Sequence, residues 1–208
     1  MTSCTPHGHD HDAIEDEIPE NAIRLACLCG SEASLQAGDE VRWLESFTDL
    51  TFPPVPFPSR RVHDIAGADL LRALVRRHHV RLWETKVGML FPDEARHFMM
   101  AVEKTADFVV EACGGPDLFT PANGPMRMRH RHFHVAIDEQ AREIWLRELL
   151  ASFDEVGFPQ EVREEYWNWM EPFSIRMITR RTTKDQPRRH PYAGAKVSLE
   201  QATARREA

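Results

Sequence analysis

The chain has 208 residues, 42% of them hydrophobic and 28% charged, which suits a globular protein with one sizeable core and room for a small appended lobe. Its formal charge of −7 argues against a dedicated nucleic-acid binder, which carries a basic surplus. No apolar run approaches the roughly 20 residues that span a bilayer, and the polar start MTSCTPHGHDHDAIEDE has no secretory-signal pattern, so the expectation is no membrane and a cytoplasmic location.

In chain order, residues 1–19 lack periodicity and are rich in acids, the composition of a disordered segment. Within them HGHDH (7–11) alternates His and Asp, and neutral imidazole suits Zn, Cu or Ni, although no rigid element there fixes a ligand geometry. Cys4, Cys27, Cys29 and Cys113 are too few and too unevenly spaced for a disulfide framework, and no CxxCH is present for covalent haem attachment. Two short helices are expected at about 20–28 and 36–47. TFPPVPFPSRR (51–61) then places four prolines in a short span, the signature of a stiff linker or wrapping arm. It divides the chain into a 1–61 extension, a helical domain over 62–182 and a polar tail over 183–208.

Helical spacing dominates the middle division. Leu71, Leu74, Val75 and Leu82 mark one face over 69–86, with His78 and His79 on or beside it. A second helix opens at FPDE with Asp93 as N-cap. It runs along Phe98, Val102, Thr105, Ala106, Val109 and Cys113, and stops at Gly114-Gly115-Pro116. A third spans about Asp138 to Val156 with Trp145, Leu149 and Phe153. A fourth follows Pro159, with Val162, Tyr166, Trp169, Met170, Phe173 and Met177 in register. Strand signals are almost absent, so the fold class is all-α.

Several catalytic patterns are missing. No GxSxG or GxxxxGK[ST] occurs, and Glu94-x-x-His97 has no second copy with which to build a di-iron bundle. The conspicuous stretch is MRMRHRHFH, Met126 to His134, in which arginines alternate with apolar side chains and histidines. By itself it admits three readings: a strip for a polyanion, a metal cluster, or one ligand histidine with helpers.

Its neighbours narrow the choice. The ordered pattern GGPDLF…GPMRMRHRHF…RxxWL resembles the truncated haemoglobins, most closely their second group, over about residues 64–182. The resemblance implies a 2-over-2 helical sandwich holding haem b, with His130 as the proximal iron ligand and about two residues added between Phe133 and Trp145. It implies that Phe133 and Met126 touch the haem on the proximal side, and that Trp145 lies against it from the following helix. Arg129 would meet a propionate, Phe91 would wedge the haem at the interhelical corner, and Thr105 would face the iron. Where the family usually carries Phe-Tyr, this chain has His78-His79. His79, or His78 if the alignment slips by one, would then donate a hydrogen bond to a bound ligand or bind the iron itself.

The implied activity is binding or transforming oxygen, nitric oxide or a peroxide, including nitric oxide dioxygenase or peroxidase-like turnover. A diatomic gas is the expected ligand, and a reductase or a protein docked through the N-terminal extension the expected partner; the oligomeric state stays open. Two rival readings remain. One is a haem-based gas or redox sensor signalling through the extension. The other is a metal-handling protein that uses the His/Cys-rich residues 4–29.

Overall fold

The computed structural model describes residues 50–207, and the disordered start, short helices and His/Cys tract expected before residue 50 lie outside the described residues. Within those residues every regular element is helical. The helices are α1 (Arg60–Trp83), α2 (Ala95–Ala112), α3 (Phe119–Asn123), α4 (Met128–Arg131), α5 (Glu139–Glu155), α6 (Gln160–Arg176) and α7 (Ala195–Glu207). Short 3-10 turns at Lys86–Leu90 and Tyr192–Gly194 join α1 to α2 and precede α7. No described helix is long and apolar enough to cross a membrane.

The proline-rich stretch wraps the helices rather than merely leading to them. Thr51 N–H donates to Gln186 Oε1 (2.9 Å), Arg176 donates to the Pro53 carbonyl (3.3 Å), and the Phe57 ring lies 6.0 Å from that of Trp169. The α1 helix then starts earlier than the spacing suggested and is broken once, at Gly67 (φ 76°, ψ 160°). Only glycine adopts that conformation without strain, so the break is written into the residue type. Beyond it Leu71, Leu74, Val75, His78 and Leu82 form the buried face.

The α2 helix begins one residue later than expected, after Glu94, whose carboxylate meets His97 Nδ1 at 3.1 Å. The Glu-x-x-His pair is thus an exposed surface contact and not a ligand set. At its other end Gly114 takes φ 85°, and a Cβ there would sit 3.1 Å from the Arg60 backbone. A Cβ on Gly115 would come within 2.7 Å of the His63 and Val110 side chains. The Gly-Gly pair therefore lets α2 end against the start of α1. Glu111 fixes the next loop by accepting from the Phe119 and Thr120 amides (2.8 and 2.9 Å).

Asp138 caps α5 by accepting from Ala141 N–H (2.7 Å), and Pro159 leads α6, as the spacing indicated. The two helices bury the largest side chains, Phe153, Phe158, Tyr166, Trp167 and Trp169, against α1 and α2. The stretch read as a polar tail folds back as α7 and buries Ala195, Leu199 and Ala202. It is anchored through charge. Arg142 and Glu171, with side chains 1% and 4% exposed, pair at 2.6 Å. Glu171 also accepts from Arg189 (2.7 Å) and the His190 amide (3.1 Å), and Trp167 Nε1–H donates to the His190 carbonyl (2.7 Å). These polar bonds do what a long apolar stripe does for the other helices.

Candidate functional site

The strip from Met126 to His134 forms a tight bend. Arg127 takes the left-handed φ of 33°, four residues make the single turn α4, and His132 caps its end. His132 Nδ1 lies 2.7 Å from the Met128 carbonyl, four residues back. A carbonyl only accepts, so Nδ1 carries the proton and a neutral ring leaves Nε2 with a free lone pair. The ring is half-buried, and Nε2 has no hydrogen-bond partner among the described residues. His130 differs on each count: it is exposed, and its contact is with the Phe133 ring at 5.7 Å. His134 is exposed as well.

The second pair of histidines lies on α1. His79 is half-buried, with Nδ1 held 2.8 Å from the Val75 carbonyl and its ring edge-on to Phe91 at 5.8 Å. Burial pushes its pKa down to about 4, against the opposing pull of the Val75 bond, and the charge that His132 can carry lowers it further. His78 does something else. It is buried, donates Nε2–H to the Trp145 carbonyl (2.9 Å) and stacks edge-on against the Trp145 ring at 4.6 Å. It ties α1 to α5, and burial, followed by the neighbouring His79, holds its pKa well below the ordinary value.

The apolar walls come from several elements. Phe91 packs on Phe98 (5.3 Å), while Trp145, Met126 and Met128 are half-buried against the core. Thr105 on α2 donates its hydroxyl proton to the Ala101 carbonyl at 3.0 Å. Phe133 is 40% exposed.

The arginines have backbone partners that the sequence alone does not show. Arg129 donates to the carbonyls of Arg176 (2.6 Å) and Ile178 (3.1 Å), and its guanidinium lies over the Phe52 ring (4.8 Å) and the Phe133 ring (5.4 Å). Its Nη1 serves carbonyls at and just beyond the C-terminal end of α6, where a cation is favoured. Arg131 is likewise spent on the carbonyls of Asn123, Pro125 and Met126 (2.5, 3.1 and 3.0 Å). Arg127 alone of the three is exposed without a partner among the described residues. No cluster of three or more His, Cys, Asp or Glu suited to a metal ion occurs among the described residues, so the strip is not a multi-residue metal site. Cys113 is buried, with its thiol pushed up to about 12, and is no nucleophile.

The model of the bacterial-like globins matches residues 62–179, more than half of the chain. The chain belongs to that family. It is a truncated haemoglobin, and its matches include second-group members. Group 2 truncated hemoglobin YjbI of Bacillus subtilis (strain 168) is 25% identical over 125 residues, 60% of this chain and 92% of the relative. The crystal structure of phosphate-bound Hell's gate globin IV superposes with a TM-score of 0.70 at 46% identity, covering 79% of this chain and 99% of that one. The X-ray structure of a truncated oxygen-avid haemoglobin from Bacillus subtilis superposes with a TM-score of 0.53 at 25% identity, over 56% of this chain and 98% of the other. For this truncated globin the family implies haem, and with it a role in binding a small ligand.

The residue that sequence reasoning passed over is His132. Arg-His occurs twice in MRMRHRHFH, at 129–130 and 131–132, and the motif alone fits both. The spacing bears on both: with His130 as ligand the resemblance needs about two extra residues between Phe133 and Trp145, and the second Arg-His stands two residues nearer Trp145.

Proposed function

We propose that this truncated globin is a b-type haem protein with His132, in place of His130, as the proximal ligand, and that it takes oxygen, nitric oxide or a peroxide on the side below His79. One observation carries the choice: the His132 ring is half-buried and pinned through Nδ1–H to the Met128 carbonyl, which leaves Nε2 without a partner among the described residues. That is the arrangement a ligating imidazole needs, because the bond at one nitrogen fixes the tautomer and orientation and raises the basicity of the other.

The residues present fit a macrocycle. Phe91, Trp145, Met126 and Met128 supply apolar area, and Arg127, exposed and without a side-chain partner among the described residues, is a cation suited to a propionate. Bound haem would supply an iron centre with one position open to a small ligand. The chain does the rest. His132 holds and orients, the aromatic walls exclude water, and the His78 bond to Trp145 keeps the far wall and α1 in register.

The test is haem content and the ferrous carbonyl spectrum of His132→Ala and His130→Ala, each with and without added imidazole. His132→Ala is expected to fall to near-background haem and to recover it with imidazole, while His130→Ala keeps an imidazole-type spectrum. The opposite pattern returns the ligand to His130, and full haem retention in both variants removes the strip from the site.

A further inference from the structure

The family pattern leads one to expect a hydrogen-bond donor at the position of His79. The geometry points the other way. Its Nδ1 stands 2.8 Å from the Val75 carbonyl, which can only accept, so Nδ1 bears the hydrogen. With a pKa near 4 the ring is neutral at physiological pH and has one N–H to give. That one is spent within α1. Nε2 is left with a lone pair and no partner among the described residues.

Neither Thr105 nor His78 supplies the missing proton. The Thr105 hydroxyl proton goes to the Ala101 carbonyl, and the N–H of His78 goes to the Trp145 carbonyl. His78 and His79 therefore hold opposite tautomers although they are adjacent, each fixed by a different backbone oxygen.

Building on the haem reading above, we propose that His79 meets the ligand as a hydrogen-bond acceptor, so the pocket favours small ligands that carry their own proton, of the hydrogen peroxide and hydrogen sulfide class, over carbon monoxide and dioxygen. An acceptor aimed at a protic ligand gains one neutral hydrogen bond. Aimed at carbon monoxide or dioxygen, whose outer atom is itself electron-rich, the same lone pair repels. One such bond is ordinarily worth roughly a three- to tenfold change in affinity.

The experiment uses the full-length, haem-loaded chain as wild type, His79→Leu and His79→Gln. In the ferrous carbonyl form a nearby lone pair raises the C–O stretching frequency and a donor lowers it. The wild-type band is expected above that of His79→Leu, with His79→Gln, whose amide can donate, below wild type. Referring the bands to His79→Leu cancels any contribution from the Trp145 indole. In the ferric form, sulfide affinity is expected to drop roughly three- to tenfold in His79→Leu.

A wild-type band at or below that of His79→Leu, or unchanged sulfide affinity, overturns the proposal while leaving the haem reading intact. A low-spin, six-coordinate resting spectrum that His79→Leu abolishes puts the nitrogen on the metal and also overturns it. If no carbonyl form appears in any variant, the haem reading itself falls and takes this proposal with it.

Discussion

The α5–α6–α7 side and the histidines of α1 and of the α4 bend solve opposite problems. On the first side the buried charges saturate one another: Arg142 meets Glu171 and Ser174, and Glu171 in turn meets Arg189 and the His190 amide. On the second side His79 and His132 each satisfy one ring nitrogen on their own helix and leave the other free. A group that is fully paired contributes to stability and cannot take a ligand. A half-paired one can take a ligand and gives up some stability to do so. The chain thus separates the two tasks onto different helices, and the difference should appear in mutants.

The largest effect is expected from Arg142→Ala. It leaves the buried Glu171 with the half-exposed Arg189 as its remaining cation, so the loss should lie toward the low end of the about 3–5 kcal/mol that breaking a buried pair costs. Urea unfolding of the haem-free chain measures it, and the paired change Arg142→Met with Glu171→Leu should recover most of the loss. A small loss in the single variant would mean that α7 is not held by this network.

Next comes pH. Burial, then the charges of Arg142 and Arg188, lower the His190 pKa to about 4 from its ordinary 6.5. The unfolded chain therefore binds the proton first. The stabilisation is fully present above pH 6.5 and is lost as pH falls toward 4, at up to about 1.4 kcal/mol per unit for one proton. His190→Gln should flatten the dependence by that one-proton share, and an unchanged slope would exonerate His190.

Arg129→Met tests the border between the two sides. Removing its bonds to the end of α6 should cost about 1.5–3 kcal/mol, the range for hydrogen bonds from a charged donor. Haem transfer to an acceptor apoprotein should keep its rate within about twofold. Faster transfer with unchanged stability would restore Arg129 as a propionate partner.

The smallest stability effect is expected from His132→Ala. Its half-buried ring makes one bond within a single helical turn, so haem-free stability should stay within about 0.5 kcal/mol. A large destabilisation there would show that the ring is a packing element and erase the contrast between the two sides.

Much of the fold was legible because it rests on local chemistry. Asp138 caps α5, Pro159 opens α6, and Gly114-Gly115 ends α2 where a side chain would strike α1. The family pattern rested on the same kind of local marker. The α7 helix was less legible because its buried positions are chiefly small or few, Ala195, Leu199 and Ala202, and its anchor is a charge pair formed between residues 142 and 171. Which of the two Arg-His rings is held in place was ambiguous for a different reason. Two Arg-His dipeptides stand two residues apart, and only the fold reveals which ring finds a carbonyl four residues behind it. The role of Arg129 was equally hidden, since nothing within the strip signals that α6 ends beside it.

The wrapping arm has a kinetic consequence. Its contacts join Thr51 to Gln186 and Pro53 to Arg176, separations of 135 and 123 residues along the chain. Closing loops of that length is entropically costly until the helices between them have assembled, so these contacts form after the folding barrier has been crossed. Interactions absent from the transition state slow unfolding and leave the folding rate almost untouched. The prolines and Phe52 thereby act as a latch: they lengthen the lifetime of the native globin without hastening its arrival.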